Sequence, residues 1–200
     1  MKRPRITFGP LALVAMLVIG FVFGRLERAA PSAPEAGAQI IGEGVSQPTP
    51  PQQRLRARLV IPVDGVTREG LTDTWGHARS EGRGHQGIDI MAPQGTRVRA
   101  VADGRIVKFF DSERGGVTIY QFDQSERFVY YYAHLNTRVA GLAEGDQVRQ
   151  GQVIGYVGSS GNATTPHLHF EVQRLTPARN WWQADPLNPY PLLISGQPPA

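Results

Sequence analysis

From Leu59 to Leu175 the chain never holds the 3.6-residue apolar period of a helix. It breaks instead into short runs rich in Val, Ile, Tyr and Phe: LVIPV (59–63), GIDIMA (87–92), TRVRAV (96–101), DGRIVKFF (103–110), GVTIYQF (116–122), RFVYYYAHL (127–135), QVIGYVG (152–158) and HLHFEVQRL (167–175). Gly, Pro, Asp, Ser and Asn separate them. Short strands spaced this way predict a mainly β domain, an antiparallel sheet or sandwich. Over the whole chain, 23 glycines, 16 prolines and a 40% apolar share suit a turn-rich β protein with a disordered stretch better than a helical bundle. Antiparallel sheets often keep one face wet, and such a face can carry a site.

Strand alternation sorts the polar residues. Along 167–172, Leu168, Phe170 and Val172 point to one face, and His167, His169 and Glu171 to the other. Two imidazoles on one face, with Cβ atoms roughly 6 to 7 Å apart, cannot both bond one metal without distortion. One can hold a metal while the other reaches a ligand of that metal. A pair of solvated histidines is the alternative. In RGHQGIDI (83–90), His85 and Asp89 lie on one side of an extended chain, and Gly87 between them permits close backbone approach. In YYYAHL (130–135), alternation groups His134 with Phe128, Tyr130 and Tyr132, opposite Tyr131, Ala133 and Leu135. His77 stands apart, as a surface or groove-lining residue.

The N-terminus reads as an address. Residues 1–6 form a basic stub, and 7–24 carry no charge. Eighteen residues of helix span about 27 Å, enough to cross a bilayer core. The basic flank keeps that end cytoplasmic and sends the rest outward. The length of the run, and Arg25, Glu27 and Arg28 directly after it, favour an uncleaved signal anchor over a cleaved signal. Residues 25–56, rich in Pro, Ala and Gly, predict a flexible linker. A domain over 57–190 and a tail over 191–200 follow. In 180–193, NWWQADPLNPYPLL, a proline-stiffened segment is expected to pack its tryptophans back on the domain. The expected location is therefore the cytoplasmic membrane, single-pass, with the C-terminal domain on its outer side.

Charge and thiols exclude several functions. The net charge of +4 is carried by Lys2, Arg3, Arg5, Arg25 and Arg28 against Glu27, leaving the remainder neutral. The domain therefore lacks the basic footprint that nucleic acid needs. With no cysteine there is no thiolate metal site, disulfide framework or thiol nucleophile.

Four of the five histidines and one aspartate thus fall in three separate β-type segments. Two His and one Asp meet the ligand count of a catalytic zinc, which keeps a further position open. The other two histidines could serve a water or a developing oxyanion. No H-E-x-x-H occurs, so the helix-borne protease scheme does not apply.

As an ordered set, His85-x-x-x-Asp89, Ala133-His134-Leu135 and His167-Leu168-His169-Phe170 resemble the lysostaphin/LytM-type zinc metallopeptidases, which cut peptide bonds in peptidoglycan. The segments from Trp75 to Val107 and from Glu144 to Val172 resemble the two halves of that family over roughly residues 57–190. The resemblance implies an antiparallel sheet lining an open groove and one Zn²⁺ per chain on His85, Asp89 and His169. It implies His134 and His167 as the catalytic pair. His167 would orient or deprotonate the water, and His134 would stabilise the oxyanion or protonate the leaving amine; the two proton roles can exchange. The implied partners are the stem peptides and cross-bridges of peptidoglycan, either D-alanyl–diaminopimelate links or glycyl bridges. The linker leaves room for a regulatory envelope protein to gate the groove. The loop GNATTPHLHF (161–170) lacks the glycine often found before that proline, a change expected at the groove wall. The alternative is a non-catalytic relative that binds and activates another cell-wall hydrolase; such relatives have lost metal ligands, and this chain keeps all five site residues.

Overall fold

The computed structural model describes residues 58–79 and 82–200. The expected anchor and linker lie outside these residues. Among the described residues nine strands form one connected sheet: β1 (Ile88–Met91), β2 (Arg97–Arg99), β3 (Gly104–Ser112), β4 (Gly116–Asp123), β5 (Phe128–Arg138), β6 (Gln147–Val148), β7 (Val153–Val157), β8 (His167–Leu175) and β9 (Ala184–Leu187). The main path runs β1-β8-β5-β4-β3-β6, with every pairing antiparallel. β1 pairs with the first half of β8, Asp89 opposite His169, and β9 with the second half. β7 joins β2 to the far end of β5.

One face of this sheet is the core. Leu168, Phe170 and Val172 of β8 meet Ile88, Ile90, Tyr130 and Tyr132, all buried. Burying side chains of this size contributes about 1.5–3 kcal/mol each. Polar atoms inside are satisfied. The Tyr132 hydroxyl donates to Gln121 Oε1 at 2.8 Å and accepts from the Val101 amide at 3.0 Å. Gln121 in turn donates to the Ala102 carbonyl at 2.7 Å.

The opposite face is less open than alternation alone suggests. His167 and Glu171, which point there, are only 9% and 8% exposed. Glycines allow the close approach. A Cβ on Gly87 would lie 2.4 Å from the Phe170 carbonyl oxygen and 3.0 Å from Cε1 of His169. Gly87 thus lets the chain entering β1 lie against β8 beside His169. Because the first obstacle is backbone, Gly87→Ala is expected to destabilise the fold by about 1–3 kcal/mol through overpacking, read as a lower urea midpoint. A wild-type midpoint would contradict this account of the contact.

The segment after β9 forms a short helix, α1 (Pro189–Ser195), where a proline-stiffened tail was expected. Its signals are standard: Asn188 caps the Tyr190 amide, Pro189 opens the first turn, and Gly196 takes the left-handed position behind it. Leu193 is buried in the core, so the packed chain runs past residue 190.

Candidate active site

β5 changes partners where it passes the site. Through Ala133 it pairs with β8, and from Leu135 onward with β7. At the switch the register slips, and His134 takes φ +59°, a left-handed conformation that costs a non-glycine residue about 1–2 kcal/mol. Its amide donates across to the Gly115 carbonyl at 2.8 Å. This corrects the alternation reading. Tyr130 and Tyr132 stay in the core, Leu135 joins them, and His134 turns to the other face beside Tyr131 and Ala133.

There, donor atoms from three residues converge. Nε2 of His85, Oδ1 of Asp89 and Nδ1 of His169 form a triangle with edges of 2.9, 3.1 and 3.1 Å. A tetrahedral metal with bonds of ~2.0–2.1 Å spaces its donors about 3.3 Å apart. Two imidazole nitrogens and one carboxylate oxygen are the donor types such an ion takes, so these residues fit it. His167 stands beside the triangle, its Nε2 3.6 Å from Asp89 Oδ1. The His134 ring lies 4.9 Å from that of His167 and 5.8 Å from that of His169. All five predicted site residues line one cleft of about 490 Å³. His77 is exposed and outside it, though its backbone carbonyl accepts from the His85 amide at 2.9 Å.

The proton positions follow from what each imidazole touches on its outer side. Nδ1 of His85 lies 2.7 Å from the Thr74 carbonyl. Nδ1 of His134 lies 2.9 Å from the Ser160 carbonyl, and Nδ1 of His167 lies 2.8 Å from that of Thr165. Nε2 of His169 lies 2.7 Å from a Glu171 carboxylate oxygen. Each of these partners can only accept, so each outer nitrogen carries a hydrogen and the neutral ring presents a bare nitrogen inward. Glu171–His169 is the carboxylate–imidazole pair that orients a metal ligand and raises its basicity. Glu171 also accepts from Gln173, while the Asp89 carboxylate accepts from Arg79 and the Asp89 amide donates to Thr74 Oγ1 at 3.0 Å.

These contacts set the acidities. Burial alone would raise the Asp89 carboxyl, but its contacts with the side chains of His169, His85 and Arg79 outweigh it and hold the group well below the usual carboxylate range. Burial likewise opposes charge on His169, yet its bonds to Asp89 and Glu171 carry it from 6.5 up to about 9. Burial lowers His134 from 6.5 to about 4, aided by the nearby His169 and His167 against the Ser160 carbonyl. The metal-free protein should therefore have a defined stability maximum. The His169 contribution is complete below its unfolded value of 6.5 and is lost as pH rises through about 9. The His134 cost is absent above 6.5 and grows as pH falls toward 4. Melting in chelator is expected to peak near pH 6.5, and His169→Gln should flatten the alkaline limb. A melting temperature still climbing at pH 9 would refute the assignment.

The sequence profile of peptidase family M23 matches residues 83–189, more than half of the chain and every residue of the cleft named as a site. The chain belongs to peptidase family M23. The DD-carboxypeptidase/endopeptidase Mpg of Neisseria meningitidis serogroup B is 47% identical over 110 residues, covering 54% of this chain and 23% of that protein. This M23 chain thus spans less than a quarter of that relative's length. Among solved structures, the catalytic domain of lysostaphin from Staphylococcus simulans is 30% identical with a TM-score of 0.54, covering 63% of this chain and 94% of that one. A zinc-containing peptidase from Vibrio cholerae is 28% identical with a TM-score of 0.51, covering 66% and 39% respectively.

Sequence reasoning placed Glu171 on the site face without giving it a role; its parity with His169, two residues on, is the signal that could have done so. Arg79, Thr74 and the carbonyls of Ser160 and Thr165 carry no local signal. They reach the site through loops whose course the sequence does not show.

Proposed function

We propose that this M23 chain is a zinc endopeptidase that hydrolyses peptide cross-links of peptidoglycan. The observation that carries the reading is the wiring of four imidazoles that line one cleft, each with its outer nitrogen held by an acceptor. His85, Asp89 and His169 would hold the ion, and the peptidase of this fold named as containing zinc supports that metal. A zinc ion there would supply Lewis-acid polarisation of water and of the scissile carbonyl.

The chain's own groups do the rest. His167, adjacent to the donor triangle, accepts a proton from the attacking water at Nε2 while Nδ1–H stays on Thr165. His134, neutral at physiological pH and fixed by Ser160, offers its Nε2 across the cleft. The carbonyl carbon gains the water oxygen, the C–N bond breaks, and the amine leaves with a proton relayed by this pair. The half-buried walls limit bulk water. The intact set of five residues speaks against a non-catalytic activator.

The name of the Neisseria relative favours a D-alanyl cross-link over a glycyl bridge as the bond cut. The basic stub and uncharged run at residues 1–24 support a single-pass anchor, with the domain held on the envelope side of the cytoplasmic membrane and open to a regulatory envelope protein. The test is digestion of purified sacculi by the metal-loaded protein, with and without a chelator, and mass analysis of the fragments. New peptide ends that vanish with chelation are expected. Intact sacculi, from a folded and loaded sample, would transfer the reading to an activator.

A further inference from the structure

The loop between β8 and β9 carries a feature that the peptidase chemistry does not use. Residues Asn180-Trp181-Trp182-Gln183 form a turn closed twice, by the Gln183 amide on the Asn180 carbonyl at 3.1 Å and by the Asn180 side-chain amide on Gln183 Oε1 at 2.9 Å. The central places of a turn usually hold Gly, Pro, Asn, Asp or Ser. Here both hold tryptophan. Trp181 is wedged against Tyr120, with ring centroids 4.7 Å apart, and against Phe110 at 5.7 Å. It supports Trp182 edge-on at 5.3 Å. Yet Trp182 remains 61% exposed and Phe110 44%. A rigid turn that presents a bare indole to water fills no core.

The aromatic series is continuous with the active site. Tyr120 packs on Tyr131 at 4.6 Å, and the Tyr131 ring meets His169 edge-on at 6.0 Å. A floor of rings therefore leads from the metal-ligating histidine across β5 and β4 to the exposed tryptophan. A substrate that left the cleft along these rings would pass over Trp181 and Trp182. In peptidoglycan the stem peptide continues into a sugar chain. Pyranose rings expose axial C–H faces that lie flat on an aromatic surface, with hydroxyls and acetamido groups at the edge for polar side chains. Asn180 and Gln183 frame the tryptophans with such groups, held in place by their mutual bond. The cationic side chain nearest in sequence, Arg179, is directed to Glu126 at 3.5 Å. The platform itself is thus uncharged, as a neutral sugar requires.

We infer that Trp182, backed by Trp181 and Phe110, forms a saccharide subsite that takes an N-acetylhexosamine of the glycan strand bearing the peptide to be cut. This rests on the peptidoglycan reading above and gives it a specificity: glycan-linked peptides are preferred over free ones.

The test uses the full chain, metal-loaded and in detergent, with a tetramer of N-acetylglucosamine as probe and tryptophan fluorescence as readout. Saturable binding is expected, weakened about two- to tenfold in Trp182→Ala, the loss that removing one aromatic stacking partner brings. Trp182→Phe, which keeps an aromatic face, should restore part of it and controls for folding. In parallel, the ratio of KM for a cross-linked free peptide to KM for the same peptide on its disaccharide should fall toward one in Trp182→Ala. Absence of saccharide binding by the wild type, or equal binding by Trp182→Ala, overturns the subsite. If the wild type cuts the free peptide and binds no saccharide, the subsite fails alone. If it binds saccharide through Trp182 and cuts neither peptide, the peptidase reading fails and the subsite stands.

Discussion

Alanine at Asp89 is expected to remove metal and activity together. The carboxylate is the only anion in the donor triangle, and its loss leaves two neutral nitrogens where the proposed dication would sit. Even outer-shell partners of metal ligands are worth about 10–100-fold in affinity, so removing a ligand should exceed that range. Hydrolysis of sacculi should fall by about a thousandfold or more, and metal content after dialysis should drop from stoichiometric to background. The strand should survive, because the Asp89 amide keeps its bond to Thr74 and its register opposite His169. Full activity in this variant would sink the metal reading. A folded variant that still stimulated another hydrolase would point to a scaffold.

The second large effect belongs to His134 and His167. His167→Ala and His134→Asn should each lower kcat by about 10²–10⁴ while metal content stays unchanged. Asparagine is the better replacement at 134, because the left-handed backbone there would penalise alanine. If the two rings move one proton between them, as proposed, the double variant should lose little more than the worse single one. Strictly additive losses, or loss of the metal, would separate the residues from that shared role.

Much of the site could be read before the fold was known, for a simple reason. Alternation along β8 depends only on pleat geometry, so Leu168, Phe170 and Val172 went correctly to the core and His167, His169 and Glu171 to the cleft. The same rule failed one strand away. His134 sits where β5 exchanges β8 for β7, and the left-handed residue at the switch reverses the faces that follow. A break in alternation imposed by non-local pairing has no local sequence signature. The helix at Pro189–Ser195 is a different kind of miss. Asn188, Pro189 and Gly196 were readable caps, but two prolines within three residues argued for an extended tail. Arg79 and Thr74 were illegible because their contacts to Asp89 span 10 and 15 residues of sequence with no periodic pattern.

β1 has only four residues and, among the described residues, pairs on one side alone, with β8. His85 and Asp89, two of the three donors, ride on this short edge element and its lead-in, while the third stands on a strand bracketed by neighbours. Short margins of a sheet open far more often than its interior, without the rest of the molecule following. The lifetime of a bound ion is then a clock set by fraying at the rim, not by collapse of the whole. Conversely, an ion joining His85 to His169 clasps that rim across 84 residues of chain. Loading should slow amide exchange in β1 more than in the strands that carry no donor, so that the proposed catalytic centre would also button down a short margin of the sheet carrying it.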